Sequence, residues 1–192
     1  MQEFLPPSDS FGASVTRGGG NGEQVSVHGT YHVECYDKDG NPKWSDVAHN
    51  LVTDVGAKLM LDTILAGSAF TANTYMGLKG TGTAVVADTQ ASHAGWLEVG
   101  STNAPTYTSP RKTVAWSAAS GTGAGSRSKA ASASQSFAIT SSGTVAGCFI
   151  NVNGSSAIDN TTGTLFSAGD FSGGSKNVAN LDTVNVTYTL SI

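Results

Sequence analysis

The residues of this chain that could bind a metal or move a proton are four histidines, fourteen acids and two cysteines. His28 and His32 fall on one face of an alternating segment. Four residues along a strand separate their Cα atoms by roughly 13 Å, too far for both to ligate one zinc at about 2 Å. His32 and Glu34 could approach one ion, but the local sequence offers no third ligand. This strand face is therefore expected to be polar or turned toward a partner. His49 and His93 stand alone. Asp37, Asp39 and Asn41 resemble the opening of a calcium loop, but its glycine is at the fourth position rather than the sixth. Pro42 follows, and the twelfth position is Ala48 rather than an acid. A turn is the expectation.

Gly121 to Gly125 (GTGAG) has the composition of a phosphate cradle. A cradle needs a following helix, and Ser126 to Ser136 is small and polar, leading into a strand. No Gly-x-Ser-x-Gly elbow occurs and no Cys–His pairing is visible. Cys35 and Cys148 are expected to be free, buried thiols. The residues point to no catalytic set, cofactor or metal, and the chain is expected not to be an enzyme.

Composition narrows the partners. Only 12% of the 192 residues are charged, against roughly 25% in an ordinary soluble domain. Hydrophobic residues make up 39%, enough for a core, and the 24 glycines fall in clusters that break helices. A net charge of −4 without a Lys/Arg run argues against nucleic acid. Arg111-Lys112 and Arg127-Ser128-Lys129 read as strand-edge or loop charges, which discourage unwanted edge pairing. No apolar run approaches the roughly 20 residues that cross a bilayer. Met1 to Leu5 lacks the basic-then-apolar pattern of a signal peptide. The Asn-x-Ser/Thr matches at Asn153, Asn160 and Asn185 therefore have no secretory context.

Two regions are expected: an extended N-terminal arm (1–24) and a β domain (25–192). In the arm, Pro6-Pro7 and the glycines from Gly18 to Gly22 rule out helix and central strand. Phe4, Leu5, Phe11 and Val15 are spaced as anchors of an extended peptide lying on a neighbouring subunit. In the domain, Val25 to Tyr36 alternates as a half-buried strand. A turn with positive φ at Gly40 and Asn41 follows. Lys43 to Val52 returns, with Trp44 and Val47 as its packing residues. Thr53 or Asp54 caps a single helix to about Ala66, with Val55, Leu59, Met60 and Ile64 at helical spacing and Gly67 at its stop.

Further strands are expected at Thr74–Lys79, Trp96–Val99, Lys112–Ala118, Ala130–Thr140, Thr144–Val152, Gly163–Ser167 and Val184–Ile192, with Gly80–Thr83 a turn and Asp88–Gly95 a loop or single helical turn. In the last strand Val184, Val186, Tyr188, Leu190 and Ile192 form one apolar face. The three tryptophans lie in strand patterns and read as core. Many short strands and one helix give a mainly β class: an antiparallel β-sandwich or jelly-roll-like domain.

Several stretches carry a resemblance. Gly29 to Trp44 (GTYHVECYDKDGNPKW), Asn50 to Gly56 (NLVTDVG), Tyr75 to Lys79 (YMGLK), Asp88 to Val99 (DTQASHAGWLEV) and Asn180 to Leu190 (NLDTVNVTYTL) resemble a family of small virion structural proteins of tailed bacteriophages. The resemblance spans residues 27 to 192, and its motifs are architectural. It implies a capsid decoration (cement) protein on the outer capsid surface, made in the host cytoplasm. Its implied partners are the major capsid protein or other virion proteins and further copies of itself. A head-fibre, tail or collar component is the alternative, and a receptor- or sugar-binding module is a third reading.

Overall fold

A computed structural model describes residues 27–64, 72–108, 110–122 and 126–192. The arm residues Phe4, Leu5, Phe11 and Val15 lie outside the described residues, as does Gly67. Among the described residues the class is mainly β and antiparallel, with one helix, as expected.

The strands are β1 (His28–Tyr36), β2 (Pro42–Val52), β3 (Thr74–Gly82), β4 (Trp96–Val99), β5 (Lys112–Thr113), β6 (Ser128–Ala130), β7 (Gln135–Ala138), β8 (Gly143–Val145), β9 (Gly147–Val152), β10 (Thr164–Phe171), β11 (Lys176–Val178) and β12 (Thr183–Ser191). The helix α1 is Asp54–Ile64. Ten strands form one sheet with the path β4-β3-β9-β10-β2-β1-β12-β6; β5 joins β3 and β7 joins β12. Strands β8 and β11 form a separate pair.

Alternation places the core. On β1, Gly29, Tyr31, Val33 and Cys35 are buried, and opposite them on β12 are Leu190, Tyr188, Val186 and Val184. These join Met76 and Leu78 of β3, Cys148 and Ile150 of β9, and Tyr107 and Phe137 in one cluster. The sheet therefore folds around its own inner face, as in a sandwich. Every residue of β9 is buried because the sheet is covered on both faces there.

Isolated pairings bridge the two ends of the strand path. Beyond β4, Gly100 bridges Thr106 and Tyr107 bridges Ile139 beside β7. Beyond β5, Val114 N donates to Thr74 O, and Trp116 bridges Ala131 beside β6. The edges of β3 and β12 are thus covered by short segments, an arrangement that blunts intermolecular strand pairing.

Several details differ from expectation. Gly40 has φ +82°, but Asn41 is not in the left-handed region. Asp37 Oδ1 takes the amides of Asp39 and Asn41, at 2.9 and 2.8 Å, and holds the turn. On β2 the fully buried side chain is Ala48, while Trp44 and Val47 are half-buried. β3 runs on to Gly82, so the sheet includes most of the expected turn. Lys112–Ala118 is a strand only at Lys112–Thr113, and the expected Ala130–Thr140 strand resolves into β6 and β7.

Candidate functional site

Most residues singled out for metal chemistry do not converge. His28, His32 and His49 are exposed on strands. Glu34 accepts the Tyr36 hydroxyl at 2.8 Å, and Asp37 is occupied by its turn. His93 stacks on Trp96 with ring centroids 4.0 Å apart. Among the described residues no group of three or more His, Cys, Asp or Glu side chains is placed to hold a metal. Cys35 and Cys148 are free and buried, as expected. Ser120 bridges Ser128 across the GTGAG stretch, and among the described residues after it the next element is β6.

The structure instead gathers polar groups on the outer face of β3, β4, β9 and β10. Arg111, expected as a strand-edge or loop charge, lies just before β5 but is buried. Its Nε and Nη2 donate to the two Glu98 carboxylate oxygens at 2.7 and 2.6 Å. It also donates to Ser155 O at 3.0 Å and Asn160 O at 2.9 Å, and Asp159 N donates to Glu98 at 2.9 Å. The guanidinium lies 5.3 Å from the Phe149 ring centroid. Gly77 makes room for that ring: a Cβ there would come 2.3 Å from Phe149 Cζ. Beside this pair, Asn151 donates to Gln90 Oε1 at 2.8 Å and to Thr162 O at 3.0 Å. Trp96 Nε1 donates to Asp88 at 2.9 Å.

Lys79, in register with Glu98, is also wholly buried. Its ammonium bonds Gly82 O at 2.5 Å and Gly80 O at 3.2 Å. It lies 2.5 Å from Asp170 Oδ1, off the line of an aligned hydrogen bond. Two carbonyl hydrogen bonds and a carboxylate at ion-pair distance describe a structural cation. A lysine set between Leu78 and Gly80 in an otherwise apolar run was the available sequence signal. Arg111 and Glu98 lie thirteen positions apart across a loop, and no spacing rule links them. Together these groups tie the 83–95 and 155–163 loops to the sheet. A groove of about 380 Å³ beside them has a mixed lining that includes His93, Trp96, Leu97, Glu98, Asn103 and Asn160. Glu98 is already fully engaged there.

The second feature is apolar. Leu59, Met60 and Ile64 of α1 face Trp116, Tyr188 and Leu190 across a groove of about 280 Å³. Helix geometry explains it. Thr53 caps α1 by accepting Gly56 N at 3.1 Å, and Gly56 lies against the Phe166 backbone. The N-terminal half of α1 therefore sits tightly on the sheet, while Leu59 and Met60 are only half-buried. Leu61 and Ile64 are 63% and 72% exposed. Periodicity had marked Ile64 as a packing residue, but the groove leaves it open.

Comparison with known protein families, with curated protein sequences and with solved structures returns no match.

Proposed function

We propose that the chain is a structural component of a tailed-bacteriophage particle, a decoration (cement) protein that binds the outside of the capsid and strengthens contacts between capsid subunits. One observation carries this reading. The buried charges are tied to one another, and the sheet ends are bridged. Among the described residues the domain offers a partner apolar surface around α1 and its groove, with Leu97 and Leu181 exposed elsewhere. The family resemblance of residues 27 to 192 gives that surface a setting. Burying exposed leucine and isoleucine side chains contributes about 1.5–3 kcal/mol each, and repeated copies on a lattice add avidity. The proposed partners are the major capsid protein and other copies of this chain.

Stripped particles test the proposal. Full-length protein is expected to rebind and to raise the temperature at which the particles rupture; removal of residues 1–24 is expected to weaken rebinding. Equal occupancy by intact and truncated protein counts against a role for the arm. Copy number separates the placements: on the order of hundreds per particle fits decoration, and about a dozen fits a tail or collar position.

A further inference from the structure

The groove between α1 and the β6–β12 end of the sheet has no occupant among the described residues. It opens beside the point where the chain enters the fold. His28 is the first strand residue and pairs with Ser191, and Gly29 pairs with Leu190, which lines the groove. N-terminal to that point the chain carries Phe4, Leu5, Phe11 and Val15, the large apolar side chains of the Phe4–Val15 segment. We propose that the groove receives the segment Phe4–Val15 of a second copy of this chain.

Three observations support this occupant. The first is chemical match: the groove presents Leu59, Met60, Ile64, Trp116, Tyr188 and Leu190, which suit aromatic and branched anchors. The second is charge. Lys129 stands at the rim, and the segment carries Asp9 between Leu5 and Phe11, with Glu3 before them. The third is spacer length. Between Val15 and Val25 lie nine residues, Thr16–Gln24, with no apolar side chain and four glycines. A return to the chain's own groove, which starts next to Leu190, needs only a short turn, commonly about 2–5 residues. Nine extended residues reach about 30 Å, enough to cross to a neighbouring molecule. The bridged sheet ends direct the contact to the groove rather than to an added strand.

A contact of segment to groove is heterologous, so it closes into rings or propagates along a lattice. It needs copies to meet but not a particle, so it can fail while the capsid placement survives, and the reverse.

The test uses purified full-length chain, a chain lacking residues 1–24, and the Ile64→Arg variant. Ile64 is largely exposed, so the added charge blocks the groove without entering the core. Sedimentation of full-length protein is expected to show self-association at micromolar concentrations. The truncation and Ile64→Arg are each expected to weaken it at least about tenfold. Mixing the two defective chains is the decisive arm: one supplies a groove and the other a segment, so a 1:1 complex is expected. Self-association that survives either change overturns the proposal. Monomeric full-length protein whose Trp116 emission shifts on truncation also overturns it, placing the segment in its own groove. Failure of the mixture to form a complex overturns it as well. Circular dichroism of both variants separates loss of contact from loss of fold.

Discussion

Glu98 and Arg111 share a bidentate contact at 3% and 0% side-chain exposure, so neither has water to fall back on. Removing one leaves the other charged and buried, which costs about 3–5 kcal/mol. Arg111→Met is expected to lower urea stability by that amount. Adding Glu98→Gln should recover part of the loss, because the stranded charge is then gone. A second effect concerns the thiols. Burial pushes Cys35 up to about 11, with Asp182 adding to it, and burial moves Cys148 further in the same direction. Neither is a thiolate at pH 8. Thiol reagents at that pH are expected to label the protein only as fast as it unfolds; rapid native labelling would refute the burial of both. A third effect is acid sensitivity. Burial raises the Asp46 pKa, but bonds from Lys176, Gly173 N and Val47 N outweigh it and hold the carboxyl below its ordinary 3.8. A depressed carboxyl stabilises the fold above its unfolded pKa, and that stability is lost as pH falls through the folded value. Stability is therefore expected to fall below about pH 4, and Asp46→Asn should flatten that limb of the pH–stability curve.

At the scale of elements, α1 hangs on its first turn. Thr53 Oγ1 accepts Gly56 N and donates to the Leu165 carbonyl, while a Cβ on Gly56 would fall 2.2 Å from Phe166 O. Backbone is on the receiving side of that clash, so Gly56→Ala is expected to push α1 outward. It should cost about 1–3 kcal/mol despite the better helix propensity of alanine. Thr53→Ala should cost about 1 kcal/mol through the lost cap. Thermal melts of the two variants check both. This cap was legible because threonine before a periodic apolar run is a local signal. β1 and β12 were legible for a similar reason: each wets one face, and alternation records that. β9 was located but merged with β8. It is buried on both faces and carries no alternation, and the chain leaves the β8 pairing at Ala146, whose amide goes to Lys79 O at 2.8 Å. β11 was missed because three residues paired to β8, off the main sheet, leave too short a pattern. The Arg111 site was misread for a deeper reason: burial of a charge depends on a partner that only tertiary structure brings near. The apolar groove was invisible because its lining comes from seven separate parts of the chain.

On the scale of the whole molecule, β12 is the strand on which closure depends. It pairs with all nine residues of β1 on one side and with β6 and β7 on the other. It also places Val184, Val186 and Tyr188 in the core. Burial of three such side chains stabilises by roughly 5–8 kcal/mol, comparable with the 5–15 kcal/mol that holds a typical domain together. Removing residues 183–192 therefore takes away a large share of the net stability and strips the partner from three strands at once. That chain is expected to lose its cooperative melt and its far-ultraviolet strand signal. Removing residues 1–24 leaves every described strand in the chain, the first of them being His28–Tyr36. The second truncation is expected to melt cooperatively at the same midpoint when compared at concentrations below assembly, since association would otherwise add its own stabilisation. A β12-truncated chain that still melts cooperatively would mean the remaining strands close without it, and the account of the core built on the β1–β12 pairing would be wrong.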